Sequence, residues 1–218
     1  MKEIITDDGS MTFLNEEIQE TYHSTSGAVD ESIKKFVEPS GMKKLCLKGS
    51  VKILDICFGI GYNTCAALDF ILALNPDCKI SVTCIEKDKE ILSKIKGLDA
   101  PFRNYPVINE LARNLAYEKG NVSIRMVIGD ALEEVKKLDQ EFDVVFHDPF
   151  SPAKCPALWT KELFSDIWRV MKNGGRLTTY SCAGAVRRNL KEAGFDVMDG
   201  PCVGRRAPST IAVKRDKL

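Results

Sequence analysis

The chain has 218 residues, of which 44% are hydrophobic and 28% are charged. That length suits one well-packed globular domain, since single α/β domains commonly run to about 200–250 residues. Lys plus Arg and Asp plus Glu both number 31, so the formal net charge is zero. This balance argues against a generic polyanion-coating protein, because such proteins bind through a basic excess.

The two signs of charge are nevertheless segregated along the chain. Residues 1–150 carry 18 basic and 25 acidic side chains, whereas residues 151–218 carry 13 basic and 6 acidic ones. The net charge is therefore zero because an acidic segment, residues 1–150, and a basic C-terminal third, residues 151–218, cancel each other. Such a basic third is suited to dock a polyanion on one side of an active site.

The eight cysteines do not form a zinc-binding pattern. No two of them are spaced as C-x-x-C, and the chain has only two histidines, His23 and His147, so we expect no metal site. The polar start MKEIITDDGS does not resemble a signal peptide, and no apolar run reaches the roughly 18–20 residues that cross a bilayer. We therefore expect a cytoplasmic protein with no membrane association and reduced thiols. Cys57 and Cys84, inside apolar runs, are expected to be small buried side chains.

A small N-terminal addition is predicted over residues 1–40. Asp8-Gly9 lies between β-favouring residues in IITDDGSMTFL, which indicates a hairpin. A helix is predicted from Ala28 to Val37, because its apolar residues form one stripe and Pro39 then stops it.

From residue 51 onward, strands and helices alternate. The predicted strands are VKILDICF, KISVTCIE, NVSIRMVIGD, FDVVFHDP, GRLTTYS, and two short ones at 195–199 and 209–214. The predicted helices cover residues 63–74, 88–97, 103–118, 131–138, 160–172 and 183–193. Apolar strands separated by helices indicate a parallel sheet covered on both faces, and the closing strands indicate an antiparallel ending. The prediction is a single doubly wound, mostly parallel α/β domain over residues 1–218, with its sheet core at 51–218.

The candidate site residues lie where the predicted strands end, because ligands of such sheets bind beyond the carboxyl ends of the strands. Gly59 and Gly61 follow the first strand, where they let the backbone approach a ligand and aim helix N–H groups at it. Acids end the next three strands. Glu86 is placed to accept hydrogen bonds from two ribose hydroxyls, Asp130 to hold an adenine amino group, and Asp148 to lie at the edge of the reacting centre.

A Gly-x-Gly turn alone is equally compatible with a tight turn that binds nothing. A NAD-binding Rossmann turn is the rival functional interpretation, but Thr64 stands where the third glycine of G-x-G-x-x-G would fall. Instead, Asp55 lies inside the first strand, four residues before Gly59. This acid, together with the acids ending the next three strands, resembles the pattern of class I S-adenosylmethionine-dependent methyltransferases.

Longer segments carry a closer resemblance. In order from about Asp8 to Arg206 they are DGSMTFLNEEIQETYHSTSGAVDES, CFGIGYN, HDPFSPAKCPALWTKELF, GGRLTTYSCAGAVRRNLKEAGF and GRR. Together they resemble the methyltransferase domain of the MnmC family, which modifies the wobble uridine of tRNA. The chain departs from that family at Cys57 and Pro149, where glycine is usual, and at His147, where an apolar residue is usual.

The resemblance implies S-adenosylmethionine as cofactor and tRNA as partner. It implies methylation of the aminomethyl group on carbon five of the wobble uridine, with or without a 2-thio group, in the anticodon loop. The fusion enzymes of the family carry an additional flavin oxidase domain that uncovers this amine. Since 218 residues leave no room for that domain, we expect a stand-alone methyltransferase supplied by a separate enzyme. A small-molecule amine methyltransferase, an aminopropyltransferase like spermidine synthase, and a non-catalytic cofactor-binding subunit are the alternatives.

The predicted site residues follow from the strand ends and the resemblance. Asp148 is the predicted catalytic residue, which orients the amine and stabilises its developing positive charge. The predicted cofactor contacts are Tyr22, Asp55, Phe58, Gly59, Gly61, Asn63, Glu86, Asp130, Ala131 and Asp148 itself. Tyr22 lies in a segment that is expected to fold over the cofactor as a lid, whereas His23 is expected to be structural.

The predicted tRNA contacts come from aromatic and basic residues. Phe150 and Tyr180 are candidates for stacking on the target base, because unpaired bases are read by aromatic side chains. Trp159, in helical sequence, is more typical of a core residue, and alternation along its strand points His147 away from Asp148 and into the core. The candidate phosphate contacts are Lys154, Arg187, Arg188, Arg205 and Arg206.

Overall fold

A computed structural model describes residues 1–139 and 141–215. Its strands are β1 (Lys2–Ile5), β2 (Met11–Asn15), β3 (Glu20–Thr21), β4 (Ser50–Ile56), β5 (Lys79–Glu86), β6 (Ala116–Lys119), β7 (Val122–Ile128), β8 (Phe142–His147), β9 (Met171–Thr179), β10 (Phe195–Asp199) and β11 (Thr210–Lys214). Its α-helices are α1 (Ala28–Glu31), α2 (Met42–Leu47), α3 (Tyr62–Leu74), α4 (Lys89–Ile95), α5 (Tyr105–Asn114), α6 (Ala131–Glu134), α7 (Lys161–Arg169) and α8 (Gly184–Glu192).

The central sheet has the strand order β10-β11-β9-β8-β4-β5-β7-β6. Its five middle strands are parallel, whereas β6 is antiparallel to β7, and β11 is antiparallel to both β9 and β10. The chain leaves β4 towards β5 and β7, then returns to place β8 on the other side of β4. This confirms the doubly wound, mostly parallel fold and its antiparallel ending, and it places the reversal of strand order between β4 and β8.

Helices cover both faces of the central sheet. Along β4, Ile53 packs into the core on one face and Leu54 into the core on the other, and both side chains are fully buried. On the first face the core continues through α3, α4 and α5, and on the second through α7 and α8. Burial on two faces explains why the segment VKILDICF lacks the polar alternation of a half-exposed strand.

The N-terminal addition is a separate antiparallel sheet of β1, β2 and β3. The predicted hairpin turn is present, with Gly9 in the left-handed region at φ 79°. The third strand, Glu20–Thr21, was not predicted. The predicted helix over 28–37 is also present, but only α1 is α-helical, since Ser32–Val37 forms a π-helical segment and Glu38–Ser40 a 3-10 turn.

Three other element predictions were wrong in detail. The helix predicted over 103–118 ends at Asn114, because Leu115 adopts φ 59° and the next four residues pair as the edge strand β6. The helix predicted over 160–172 ends at Arg169, and β9 already begins at Met171. The sequence Asn173-Gly174-Gly175 lies in an irregular stretch of β9, where the pairing of β8 and β9 shifts register. Helix α2 was not predicted.

In the part of the chain that the structure describes, no helix is both long and apolar enough to cross a membrane. Within the same residues, no group of three or more His, Cys, Asp or Glu side chains is arranged to hold a metal ion.

Candidate active site

A cavity of about 1250 Å³ opens at the carboxyl ends of β4, β5, β7 and β8. It lies at the reversal of strand order, which is where ligands bind in open α/β sheets. Its walls come from the glycine turn after β4, the strand-end acids, the N-terminal segment 14–24 and the loop after β8. Because pockets for drug-sized ligands measure about 300–1000 Å³, this cavity has room for a nucleoside cofactor and part of a second molecule.

The glycine turn is fixed to the neighbouring strand by its backbone. The N–H groups of Cys57 and Phe58 both donate to the carbonyl of Ile85, at 3.0 and 3.1 Å. Gly59, with φ 57°, donates its N–H to Oε2 of Glu86 at 2.8 Å. The turn thus holds the strand-end carboxylate of β5 beside the cavity.

Besides Gly59, two other positions in this turn have a left-handed backbone conformation. Gly61 adopts φ 79°, and a Cβ there would lie 2.5 Å from the Phe58 ring and 2.7 Å from Ile108, so only glycine fits. Cys57 also adopts a left-handed conformation, at φ 63°. Its side chain is only partly buried and lines the cavity, which corrects the expectation of a buried core cysteine. Cys84 is fully buried, as predicted.

Glu86 lines the cavity with a carboxylate, whose oxygens accept hydrogen bonds. Oε1 accepts the N–H of Asp88 at 2.7 Å, and Oε2 accepts the N–H of Gly59. Burial raises the pKa of Glu86, against the lowering effect of these backbone N–H groups. A carboxylate has about four acceptor positions, so two remain for the hydroxyls of a sugar on the cavity side.

Asp130 begins α6 at the far wall of the cavity. Its carboxylate accepts the N–H of Leu132 at 3.0 Å and contacts Nζ of Lys87 at 3.0 Å. Burial acts to raise the pKa of Asp130, but Lys87 and the Leu132 N–H outweigh it and lower the pKa. Asp130 and Ala131 both line the cavity, as the cofactor prediction requires.

Asp148 follows β8 directly and lines the cavity. Its side chain is 8% exposed, and Oδ2 accepts a hydrogen bond from the Asn63 amide at 2.8 Å. Burial raises the pKa of Asp148 to about 7, and the neighbouring His23 and Asn63 oppose that rise. The carboxyl group is therefore poised to exchange a proton near neutral pH. Asn63 does not line the cavity and orients Asp148 from behind.

Tyr22 lies across the glycine turn. Its hydroxyl donates to Asp88 at 2.6 Å, and its ring meets Phe150 edge-on with centroids 5.1 Å apart. A Cβ on Gly59 would lie only 3.2 Å from the Tyr22 ring. The segment around Tyr22 is therefore a wall of the cavity.

Asp55 and Gly61 lie behind the cavity wall and not on it. Asp55 is fully buried inside β4, where Oδ2 accepts a hydrogen bond from the Thr64 hydroxyl at 2.6 Å. Burial raises the pKa of Asp55 to about 7. In this structure Asp55 ties β4 to the start of α3, which fixes the shape of the glycine turn between them.

The aromatic candidates divide between the cavity and the core. Phe150 and Tyr180 line the cavity, and the Tyr180 hydroxyl donates to the Pro149 carbonyl at 3.0 Å. Trp159 is buried, as expected, and its indole N–H donates to the Phe150 carbonyl at 2.9 Å. Trp159 thus holds the loop that carries Phe150.

His147 faces the core, as strand alternation predicted. It is fully buried, with Nε2 2.9 Å from the Leu158 carbonyl and its ring edge-on to Trp159 at 4.9 Å. Burial lowers the pKa of His147 to about 4. His147 is therefore a neutral structural residue beneath the loop after β8.

The basic candidates are not gathered at one place. Lys154 and Arg205 line the mouth of the cavity, and the Arg205 guanidinium donates to the Tyr180 carbonyl. Arg188 and Arg206 are exposed but do not line it. Only two of the five predicted phosphate contacts therefore border the candidate site.

Arg187 has a structural role in this fold. Its guanidinium donates to the Thr210 hydroxyl and the Ser209 carbonyl, both at 3.0 Å, and pairs with Asp199. These contacts tie α8 to β10 and β11. Because its donors are used within the protein, Arg187 is not presented to a ligand.

Sequence reasoning missed a buried charged cluster beside Asp148. Lys35 Nζ lies 2.7 Å from Glu31 Oε1, and both side chains are buried. Nδ1 of His23 lies 3.9 Å from a carboxylate oxygen of Glu31 and 3.9 Å from one of Asp148. The sequence did contain a signal, because Glu31 and Lys35 are spaced i, i+4 in a helical segment whose other buried residues are apolar apart from Ser32.

Comparisons with known proteins agree with this geometry. Residues 94–215 match a family described as S-adenosyl-L-methionine-dependent methyltransferase. The crystal structure of MNMC2 from Aquifex aeolicus superposes with a TM-score of 0.85 at 33% identity, covering 100% of this chain and 72% of that one. An uncharacterized protein of Methanocaldococcus jannaschii is 33% identical over 96% of this chain and 58% of its own length.

A bifunctional protein of Ralstonia nicotianae, named MnmC for tRNA 5-methylaminomethyl-2-thiouridine biosynthesis, is 30% identical over 88% of this chain. This chain spans 31% of that protein's length. The cavity, with its glycine turn, the Glu86 carboxylate and the Asp130–Ala131 wall, fits the S-adenosyl-L-methionine cofactor of such enzymes. The chain belongs to the MnmC-type family of S-adenosyl-L-methionine-dependent methyltransferases.

Proposed function

We propose that this protein methylates the aminomethyl group on carbon five of the tRNA wobble uridine, with or without a 2-thio group. The product is 5-methylaminomethyl-uridine or its 2-thio form. The observation that carries the proposal is Asp148: a mostly buried carboxylate, oriented by Asn63, on the wall of a cavity with room for cofactor and acceptor. Similarity to proteins named for this tRNA modification supports the choice of acceptor.

Four cavity residues would hold the cofactor, which supplies a methyl group on a sulfonium centre. Glu86 would accept hydrogen bonds from its ribose, while Gly59 lets the backbone approach closely. Asp130 and Ala131 would border its adenine. These contacts fix the methyl group in one place, and alignment is the main requirement of an in-line displacement.

Asp148 would handle the charge of the acceptor. A primary ammonium has no lone pair, so it must give up one proton before its nitrogen attacks the methyl carbon. The nitrogen–carbon bond then forms as the carbon–sulfur bond breaks, and the positive charge passes from sulfur to nitrogen. A carboxylate whose pKa is about 7 would accept this proton and pass it to water. Ionised again, it would stabilise the positive charge that develops on the nitrogen.

The remaining cavity residues suit a nucleotide acceptor. Phe150 and Tyr180 offer aromatic faces beside Asp148, on which an unpaired base can stack. Lys154 and Arg205 place positive charge at the mouth, where the flanking phosphates of an anticodon loop would lie. The proposed function implies a cytoplasmic protein and a separate enzyme that supplies the aminomethyl-uridine.

The proposal is tested by transfer of an isotope-labelled methyl group to three acceptors. They are tRNA carrying 5-aminomethyl-uridine, the same tRNA without this modification, and a mixture of polyamines. We expect label only in the first. Label in the polyamines and none in the modified tRNA would replace the proposal with a small-molecule activity, and comparable label in both tRNAs would show that another nucleotide is the target.

A further inference from the structure

His23 lies between two carboxylates at the inner end of the cavity. Its ring stacks on Tyr62 with centroids 5.2 Å apart and an interplanar angle of 16°, which fixes the plane of the imidazole. Nδ1 lies 3.9 Å from Oε2 of Glu31 and 3.9 Å from Oδ2 of Asp148, and has no hydrogen-bond partner among the described residues. A buried ring nitrogen facing two acids is a proton-binding position.

The charges around His23 make its protonation depend on what occupies the cavity. Glu31 is already neutralised by Lys35 at 2.7 Å and also accepts the N–H of Ser24 at 2.8 Å. Among the described residues, the hydrogen-bond donor to the Asp148 side chain is the neutral amide of Asn63. The remaining acid that acts on His23 is Asp55. A proton on His23 therefore balances the charge of Asp148 while no cation is bound.

We propose that His23 is a positioning residue that acts through Asp148. Its protonated imidazole holds the Asp148 carboxylate in place. When a cationic ligand enters the cavity, His23 loses its proton and the carboxylate interacts with the ligand instead. On entry of the cation, the Nδ1–H bond breaks and the proton passes to water. The identification of this ligand as a sulfonium cofactor and then an ammonium acceptor rests on the proposed function. The proton exchange at His23 rests on the distances from its Nδ1 to Glu31 and Asp148.

The titration of His23 agrees in direction with this geometry. Burial acts to lower the pKa of His23, but Glu31, Asp148 and Asp55 outweigh burial and raise it. Removing the charge of Asp148 should therefore lower it. A charged neighbour shifts a pKa by about 1–3 units, which nuclear magnetic resonance can resolve.

The chain has only two histidines, so their labelled ring signals can be assigned with one substitution. We expect the His23 midpoint to fall by about one pH unit or more in Asp148→Asn, and His147 to stay neutral above pH 5. Asp30→Asn is the matched control. Asp30 lies next to Glu31 on α1 and forms an ion pair with the exposed Lys34. An equal His23 midpoint in wild type and Asp148→Asn would overturn the proposal.

The effect of bound ligands on the His23 titration midpoint gives a second test, which does not require tRNA. S-adenosyl-L-methionine carries a positive sulfonium, whereas its demethylated product S-adenosylhomocysteine does not. We expect the first to lower the His23 midpoint more than the second does. Equal effects of both ligands would contradict the coupling between His23 and a cation at Asp148.

Kinetics then separates positioning from packing. We expect His23→Asn to lower kcat about tenfold or more and to shift its pH profile, while the affinity for the uncharged S-adenosylhomocysteine stays near that of wild type. A merely structural histidine would change stability but leave the pH profile in place, and that result would contradict the proposal. If tRNA is no substrate, the proposed function fails, and the two titrations still decide the role of His23.

Discussion

Burial determines what Asp148 can do. An exposed aspartate is ionised throughout the neutral range and is a weak base, whereas the Asp148 carboxyl has a pKa near 7 because it is largely removed from water. Strand β8 places it there, and Asn63 fixes its orientation. The same residue is thus able to accept a proton from an amine at neutral pH.

Asp148→Asn is predicted to retain cofactor binding and to lower kcat by about 10²–10⁴-fold, since it removes both the proton acceptor and the negative charge. In wild type, kcat should rise as pH increases through about 7, because Asp148 must be ionised to act. Steady-state kinetics measures kcat and its pH dependence, and calorimetry measures cofactor binding. The matched control is Asp143→Asn at the opposite end of β8, where Asp143 pairs with Lys172. A variant with wild-type turnover would remove Asp148 from the mechanism.

Glu86→Gln is predicted to weaken cofactor binding about 10–100-fold, because hydrogen bonds to a charged acceptor contribute about 1.5–3 kcal/mol. The change also replaces one carboxylate oxygen with an NH2 group that cannot accept, so either the Gly59 N–H or the Asp88 N–H loses its acceptor. Equilibrium binding of S-adenosylhomocysteine measures the effect. Glu133→Gln, which lies on the exposed side of α6, is the comparison variant. Unchanged affinity would show that Glu86 makes no contact with the cofactor.

At the scale of elements, Asp8 joins the hairpin turn to α1. Its carboxylate accepts hydrogen bonds from the N–H groups of Ser10, Val29 and Asp30, at 3.1, 3.1 and 3.2 Å. It also accepts from the hydroxyls of Thr6 and Ser10. This one side chain therefore positions the segment that carries Tyr22 and His23.

Asp8→Ala is predicted to lower the free energy of unfolding by about 1–2 kcal/mol, the usual cost of losing a helix cap. Burial acts to raise the pKa of Asp8, but these hydrogen bonds outweigh it and lower the pKa. The stabilisation is therefore present above the unfolded value of about 3.9 and is lost as pH falls below it. Denaturant unfolding at several pH values checks this. Asp7→Ala, next to it in the exposed turn, should change little, and an equal loss in both variants would contradict the assignment.

The elements that sequence predicts well are those with a strong pattern. Strand β5 runs over the predicted residues 79–86, because its apolar run is bounded by polar residues. The edge strand β6 escaped prediction, since its end depends on the left-handed Leu115, a conformation that no local residue type signals. Its pairing with β7 is a tertiary contact that overrides helix propensity.

The site was predictable where it follows strand ends and not where distant elements converge. Glu86 and Asp148 end strands, so their presence at the cavity followed from the fold. His23 and Glu31 come from the N-terminal addition and meet Asp148 only in the tertiary structure. Arg187 shows the opposite case, because a basic residue in a basic segment is used for internal hydrogen bonds.

At the scale of the whole molecule, the segregation of charge along the sequence is only partly a segregation in space. The basic third contributes Lys154 and Arg205 to the mouth of the cavity, while other basic residues of that third lie elsewhere. The cavity walls themselves carry Glu20, Glu86 and Asp148. An acidic interior with basic side chains at its mouth suits an acceptor that is cationic at its reacting end and anionic along its backbone.

Arg205→Ala is predicted to weaken tRNA binding and to reduce the slope of log affinity against log salt by about one, the effect of one lost phosphate contact. Arg187→Ala is predicted instead to lower thermal stability and leave the salt slope unchanged, since its guanidinium is bonded within the fold. Titration of labelled tRNA at several salt concentrations distinguishes the two. An unchanged slope in Arg205→Ala would place the tRNA backbone elsewhere.

The proposed activity depends on one acceptor atom, the nitrogen of the aminomethyl group on carbon five of the wobble uridine. Analysis of the tRNA nucleosides identifies that atom. tRNA carrying 5-aminomethyl-uridine, with or without the 2-thio group, is incubated with the protein and S-adenosyl-L-methionine, digested to nucleosides and analysed by mass spectrometry. We expect 5-aminomethyl-uridine to disappear and 5-methylaminomethyl-uridine to appear in equal amount, and Asp148→Asn to carry out this conversion about 10²–10⁴-fold more slowly. Persistence of the aminomethyl nucleoside, under conditions in which the protein binds both cofactor and tRNA, would contradict it.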